Sequence, residues 1–456
     1  MRNLIYIFLA FLIVMGCSLD EESVSTDPNL GVIFSNDTVS FDTLLSASRS
    51  STRRLKVFNP NNAAIQFSRV SLGLGEQSDY SVIINGRPTT NFSNLVLHGG
   101  DSLLILVEIN VNPRNQNLPY IVKDSLIFEW NTNSEHVKLI AYGQDGNRRR
   151  NEVICDEIWT NDRPHIISDT LVVSPDCELT IEKGTKIYFE NDAVLFIQGT
   201  MKAIGDSADH IEFRNARFDG IYNNGPGQWN GIYFLEGSKN NELSFVDIFN
   251  AQIGLRIGTP DEDTEPDVEI SQAKIYNMSF AGILAFTSDV KAVNTVIYNC
   301  GTYLVGNFAG GNYTYQHCTF SNLPSLFVQD EPTVQFSDNL VLSDDDVLID
   351  DLSLTLENSI IWGPADREFG ISNSGESVTI LQFLTNIIKT DEVIDDNFTS
   401  QDFNFPVFKD PSMFDYSLDT LAFAKDKGTP IGIDIDIIGQ KRDEKPDIGA
   451  YERIEK

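Results

Sequence analysis

Between residues 30 and 145, apolar and polar positions alternate in short runs: Arg54-Leu55-Lys56-Val57-Phe58, Tyr80-Ser81-Val82-Ile83-Ile84, Leu103 to Ile109, Ser125 to Phe128 and Val137 to Ala141. Asn, Pro and Gly clusters separate them. Period-two alternation punctuated in this way predicts an antiparallel β-sandwich over residues 31–145. Gly143 to Asn151, where Gln144-Asp145-Gly146-Asn147 precedes Arg148-Arg149-Arg150, reads as a solvated linker. Beyond residue 153 the runs shorten. Leu171-Val172-Val173, Leu179-Thr180-Ile181, Ile187-Tyr188-Phe189 and Leu195-Phe196-Ile197 begin eight residues apart, and Ile211-Glu212-Phe213 continues the series with no room for helices.

A repeat follows. Phe245 to Asn250, Ala273 to Asn277, Val296 to Asn299 and Thr319 to Asn322 superimpose, their closing asparagines 27, 22 and 23 residues apart. The longest spacing holds the loop Thr259 to Pro266. Three short strands in such a period make one coil of a right-handed parallel β-helix, expected over residues 153–392, each coil stacking about 4.8 Å from the next. Asn250, Asn277, Asn299 and Asn322 are expected to form a structural ladder. Asparagine tolerates a left-handed turn, and stacked amides hydrogen-bond from coil to coil. Residues 393–456, with the aromatic run Phe403 to Phe414, are expected to cap the open helix end, where strand edges and apolar interior need cover.

The N-terminus carries an address. Arg2 precedes an apolar run from Leu4 to Met15, too short to span a bilayer and of the length of a signal-peptide core. Val14-Met15-Gly16-Cys17 resembles the bacterial lipobox. That resemblance implies cleavage after residue 16 and an acylated Cys17, so that outer-membrane lipid is the first partner. Ser18-Leu19-Asp20-Glu21-Glu22 resembles the acidic export signal of surface lipoproteins in Bacteroidetes-type bacteria, which implies a lipid-anchored protein facing the cell exterior. Residues 17–30 read as its tether.

Two further resemblances rest on particular residues. Val57-Phe58-Asn59-Pro60, Leu97 to Ser102, Val111-Asn112-Pro113 and Leu139 to Gly143 resemble immunoglobulin-like domains of the abnormal-spindle and hydin type, which serve as spacers or interaction modules. Leu179-Thr180-Ile181-Glu182-Lys183-Gly184-Thr185, Gly225 to Ile232 and Pro446-Asp447-Ile448-Gly449-Ala450-Tyr451-Glu452 resemble motifs of pectin-lyase-like β-helix surface proteins. The expected fold class is therefore all-β, an N-terminal immunoglobulin-like β-sandwich followed by a right-handed parallel β-helix.

Charge narrows the partners. The 456 residues include 66 acidic and 33 basic side chains, a net charge of −33. That balance argues against nucleic acid, where Lys and Arg contacts to phosphate dominate, and against anionic glycans. It does not exclude a neutral glycan or a surface protein. Cys155 and Cys177 lie 22 residues apart, one coil, which favours a disulfide over two free thiols. Cys300 and Cys318 are out of register and read as buried thiols.

Chemistry is harder to place. Lyases of this fold use acidic calcium ligands on adjacent coils with an Arg or Lys base, whereas Asp344, Asp345, Asp346, Asp350 and Asp351 cluster within eight residues. Calcium is the metal such a run would take, and a solvated turn is its rival. No other cofactor is implied. From Lys291 to Arg367 no Lys or Arg intervenes, and the Arg-x-Lys of galacturonase-like hydrolases is missing, although Gln316-His317 is similar to their His element. No catalytic residue is assigned. Strand alternation sets Tyr313, Tyr315 and His317 opposite Cys318 and Phe320, and Trp229 and Tyr233 opposite Ile232 and Phe234. These five are expected as an exposed stripe suited to sugar stacking. The favoured reading is a non-catalytic glycan-binding or adhesion module on a β-helix rod. A polysaccharide lyase or glycoside hydrolase is the alternative.

Overall fold

The computed structural model describes residues 22–260, 263, 265–324, 326–328, 332–343, 346–390, 394, 397–399 and 408–453. The chain divides into two compact units, Met1–Gln144 and Asp145–Lys456.

The first unit is a β-sandwich. One sheet carries Val24–Ser25, Ala64–Leu72, Tyr120–Trp130, Asn133–Gln144 and Thr38–Leu45 in that order, with Asn91–Leu97 also on Ala64–Leu72. The other runs Ile33–Phe34, Arg53–Phe58, Ser102–Ile109, Tyr80–Ile84, Arg87–Thr89. Alternate residues of both sheets, among them Leu55, Val57, Phe67, Ile105, Val107, Phe128 and Leu139, meet in one core. Residues 22–30 are no free tether. Ala64 and Ile65 extend past Phe67, the last residue paired with Tyr120–Trp130, and Val24–Ser25 takes up their backbone in parallel. Glu22 accepts the Gly99 N–H at 2.8 Å, and the Trp130 indole donates to the Leu30 carbonyl at 2.8 Å. Cys17 lies outside the described residues.

The expected linker is also absent. Gly143 and Gln144 close one strand, and Asn147–Ile154 opens the second unit, parallel to His165–Val173. Arg148 pairs with Glu190, and Arg149 lies 2.8 Å from Glu152 and 2.7 Å from Glu157. Arg148 and Arg149 are thus held by acids of their own strand and of neighbouring coils, while Arg150 is exposed.

The second unit is a parallel β-helix with three faces. The first face includes Lys186–Phe189, Ile211–Asn215, Val246–Phe249, Lys274–Met278, Val296–Cys300, Thr319–Ser321, Ile360–Ile361 and Ile387–Ile388. The second includes Val194–Ile197, Gly231–Phe234, Ile253–Ile257, the first halves of Ala281–Val293 and Tyr303–Gln316, and Val334–Ser337. The third includes Glu178–Glu182, Thr200–Ile204, Asn241–Ser244, Val268–Ser271 and Leu352–Glu357. Ile187, Phe213, Ile248, Ile275, Ile297, Phe320, Ile361 and Ile388 stack in register as one fully buried column.

The asparagine ladder begins one coil earlier than expected and ends one coil sooner. Asn250 donates to Asn215 Oδ1 at 2.6 Å, Asn277 donates to Asn250, and Asn299 donates to Asn277 Oδ1 at 2.8 Å. Asn250, Asn277 and Asn299 have φ of 67°, 61° and 53°. Asn322 follows in register but leaves the ladder, binding the Cys300 N–H and carbonyl, each at 2.9 Å. It does not take the left-handed conformation that aims its neighbours' amides along the stack.

Residues 408–453 do not sit on the helix end. Phe408, Tyr416, Leu418, Ile437, Ile448 and Ala450 form a second core with Val296, Ile360 and Ile387 on the flank of the first face. The outward row there explains the placement. It reads Lys186, Glu212, Asp247 and Lys274 and then, from Val296 through Thr319 to Ile360 and Ile387, becomes largely apolar, leaving a surface that must be covered. The Pro446–Glu452 motif is the clasp. Gly449 N–H donates to Asn358 O at 2.7 Å and Ala450 N–H to Thr319 Oγ1 at 3.0 Å, while buried Arg442 and Glu452 pair at 2.9 Å.

Candidate functional site

Four of the five residues expected on an exposed stripe are interior. Tyr313 and Tyr315 are buried on the inward side of Tyr303–Gln316. Tyr313 donates to Gly310 O at 2.8 Å, and Tyr315 Oη accepts from Asn307 at 2.9 Å. Cys318 and Phe320 are buried as well. The alternation is broken at His317, whose φ of 51° turns a corner and resets the phase, so Tyr313 and Tyr315 face inward together with Cys318 and Phe320. His317 is buried in that corner, 3.1 Å from Asn358 Nδ2, and burial with nearby Arg442 lowers its pKa to about 3. Trp229 is interior for a similar reason. Gly231, at φ 139°, separates it from Ile232, and the indole stacks on Phe189 at 3.8 Å while donating to Phe249 O at 2.9 Å. Only Tyr233 keeps a solvent-facing position.

Cys155 and Cys177 are joined in a disulfide, Cα atoms 4.9 Å apart, across adjacent coils. Cys300 and Cys318 are buried free thiols, and burial pushes Cys318 up to about 12. Asp344 and Asp345 lie outside the described residues. Asp346 is exposed on a hairpin, Asn339–Ser343 with Asp346–Ile349, and Asp350 and Asp351 sit at its base. Asp350 accepts the Asp351 N–H and Asp351 the Val378 N–H, both at 2.8 Å, so they serve the turn. Among the described residues, the only metal-like grouping is Cys155, Asp156 and Cys177, whose two sulfurs are already bonded to each other.

A solvent-facing aromatic run does exist, on the second face. Phe196, Tyr233 and Arg256 occupy one register across successive coils. Phe196 and Tyr233 meet edge to face at 5.6 Å, and the Arg256 guanidinium lies 5.6 Å from Tyr233 and 5.4 Å from Phe286. Contacts continue from Phe286 to Phe308 at 6.3 Å, Phe308 to Tyr303 at 5.5 Å, and Tyr303 to Phe280 at 6.1 Å. Phe280 is 40% exposed and the others are half-buried. Gly306 sits beneath, where a Cβ would press on Phe308, Tyr303 and Leu284. The outcome is a shelf of rings across several coils with one cation set in it.

The first face carries a second constellation. Glu212 and Asp247 are in register on adjacent coils, between Lys186 and Lys274. Asp247 lies 3.3 Å from His210 Nδ1, and its Oδ1 is buried without a hydrogen bond. Alongside, Phe249, Tyr276 and Tyr298 stack at 4.8 Å per step, with Arg214 over Phe249 at 4.8 Å. Sequence reading missed both constellations because their members come together only once coil register is known. Arg256 had a local signal, the Leu255-Arg256-Ile257 alternation that turns it outward.

Residues 203–380 match the family model for the right handed beta helix region, in accord with the coil geometry. No curated protein matches the chain. Among solved structures, pectate lyase Pel9A aligns over 68% of this chain and 88% of its own at 11% identity, TM-score 0.33. A family 123 glycoside hydrolase from Clostridium perfringens aligns over 29% of this chain at 11% identity, TM-score 0.19, and only 30% of that enzyme's length is spanned. The PapD-like domain 7 of human CEP192 aligns over 29% of this chain and 94% of its own at 10% identity, TM-score 0.18.

Proposed function

We propose that this is a lipid-anchored surface protein that binds a glycan without cleaving it, through the ring shelf on the second face of its β-helix. The observation that carries the reading is the chain of contacts from Phe196 through Tyr233, Arg256, Phe286, Phe308 and Tyr303 to Phe280. Flat apolar rings with polar edges suit the faces of sugar rings, and coil stacking sets such rings at intervals along an extended ligand. The ligand's backbone is uncharged, because the surplus of acids repels a polyanion. The immunoglobulin-like sandwich serves as spacer. Anchoring rests on Cys17, and Cys17→Ala should abolish fatty-acid labelling and release the protein from the membrane fraction. Retention in that fraction with no label on the natural protein would refute it.

A second reading, a polysaccharide lyase or glycoside hydrolase, draws on the Glu212–Asp247 register with His210, since paired carboxylates on opposite sides of a scissile bond are what glycoside hydrolysis requires. Incubating the full chain with a polysaccharide panel separates the two. Retention without new reducing or unsaturated ends supports the binding module. New ends that disappear in Asp247→Asn support the enzyme.

A further inference from the structure

We infer that the glycan carries isolated acidic substituents, carboxylate or sulfate ester, and that Arg256 receives one of them; this rests on the glycan reading above. Arg256 has no hydrogen bond or ion pair among the described residues, although acids outnumber bases two to one in this chain. Some outward lysines of the β-helix do have acidic partners. On the third face Lys202 lies 3.6 Å from Glu242 and Lys291 3.7 Å from Glu269. The register neighbours of Arg256 are instead Tyr233 and Leu284, neither of them acidic.

Contacts with aromatic rings use none of the five guanidinium N–H donors. Those donors match the paired oxygens of a carboxylate or sulfate, and such a fork is selective for them over hydroxyls. The surrounding rings reduce the polarity of the site and strengthen the pairing. The same net charge of −33 disfavours a densely charged polyanion. The ligand class is therefore a mostly neutral chain with sparse acidic groups, distinct from a polyuronate.

The test uses matched polysaccharides. Each backbone of a neutral panel is offered to the full chain untreated, sparsely oxidised to carboxylate at its primary alcohols, sparsely sulfated, and fully oxidised. A charge-assisted pair is expected to raise retention about ten- to hundredfold on the sparsely modified forms of at least one backbone. The carboxylate and sulfate arms show which oxyanion fits. Full oxidation should reverse the gain. Arg256→Gln should erase the advantage of the sparsely modified forms over the untreated backbone, and Arg256→Lys should restore only part of it. Equal retention of untreated and sparsely modified forms, or a gain that survives Arg256→Gln, overturns the inference and leaves glycan binding standing. No retention in any arm overturns both.

Discussion

Trp229→Ala separates an interior tryptophan from a ligand-contacting one. The indole has no exposed surface, stacks on Phe189 at 3.8 Å and donates to Phe249 O at 2.9 Å. Truncating a large buried aromatic costs about 3–5 kcal/mol through lost transfer energy and the cavity left behind. The stranded Phe249 carbonyl adds about 1 kcal/mol. A loss near 5 kcal/mol would consume much of the ~5–15 kcal/mol that typically holds a domain folded. Two units make a single unfolding curve ambiguous. The assay is therefore native-state hydrogen exchange, read on peptides from residues 165–300, with peptides from the sandwich as internal control. Exchange should accelerate sharply in the coils flanking residue 229 and stay unchanged in the sandwich. Unchanged exchange together with lost polysaccharide retention would refute the assignment, because it would mean that the indole faces ligand.

Two other expectations follow from buried charge. Glu452→Ala should cost about 3–5 kcal/mol by leaving Arg442 buried and uncompensated, and exchange of residues 408–453 should rise while the sandwich is unaffected. Burial holds His165 at about 4, with the same direction for His317. The unfolded chain, titrating near 6.5, binds these protons first, so stability of the second unit is full above that value and falls as pH drops toward 4. His165→Gln should flatten this slope in a pH series of hydrogen-exchange protection, corrected for intrinsic exchange, read on peptides of the second unit. An unchanged slope would contradict the assignment.

The coils were legible because inward residues recur every few positions and αL asparagines mark the corners. What alternation could not supply was phase across a corner. A single residue at positive φ, such as His317 or Gly231, moves every later side chain to the opposite side. That is why Tyr313 and Tyr315 read as exposed and are interior. The flank covered by residues 408–453 was hidden for a related reason. Val296, Ile360 and Ile387 look like ordinary strand residues until coil register aligns them with Lys186, Glu212, Asp247 and Lys274. The arginine run at 148–150 read as a linker because composition alone does not show that it lies on a strand paired with His165–Val173.

The most direct test of the account compares Tyr233→Ala and Phe286→Ala with the natural chain for retention on the polysaccharide panel, alongside hydrogen exchange in peptides of the second unit. Both residues are half-buried on the outer surface of the shelf, so the coils should remain folded, with protection lost only locally. Retention should fall about tenfold or more for each, the energy of about one lost ring–sugar contact. Retention that survives both substitutions, at unchanged stability, would contradict glycan binding on the second face.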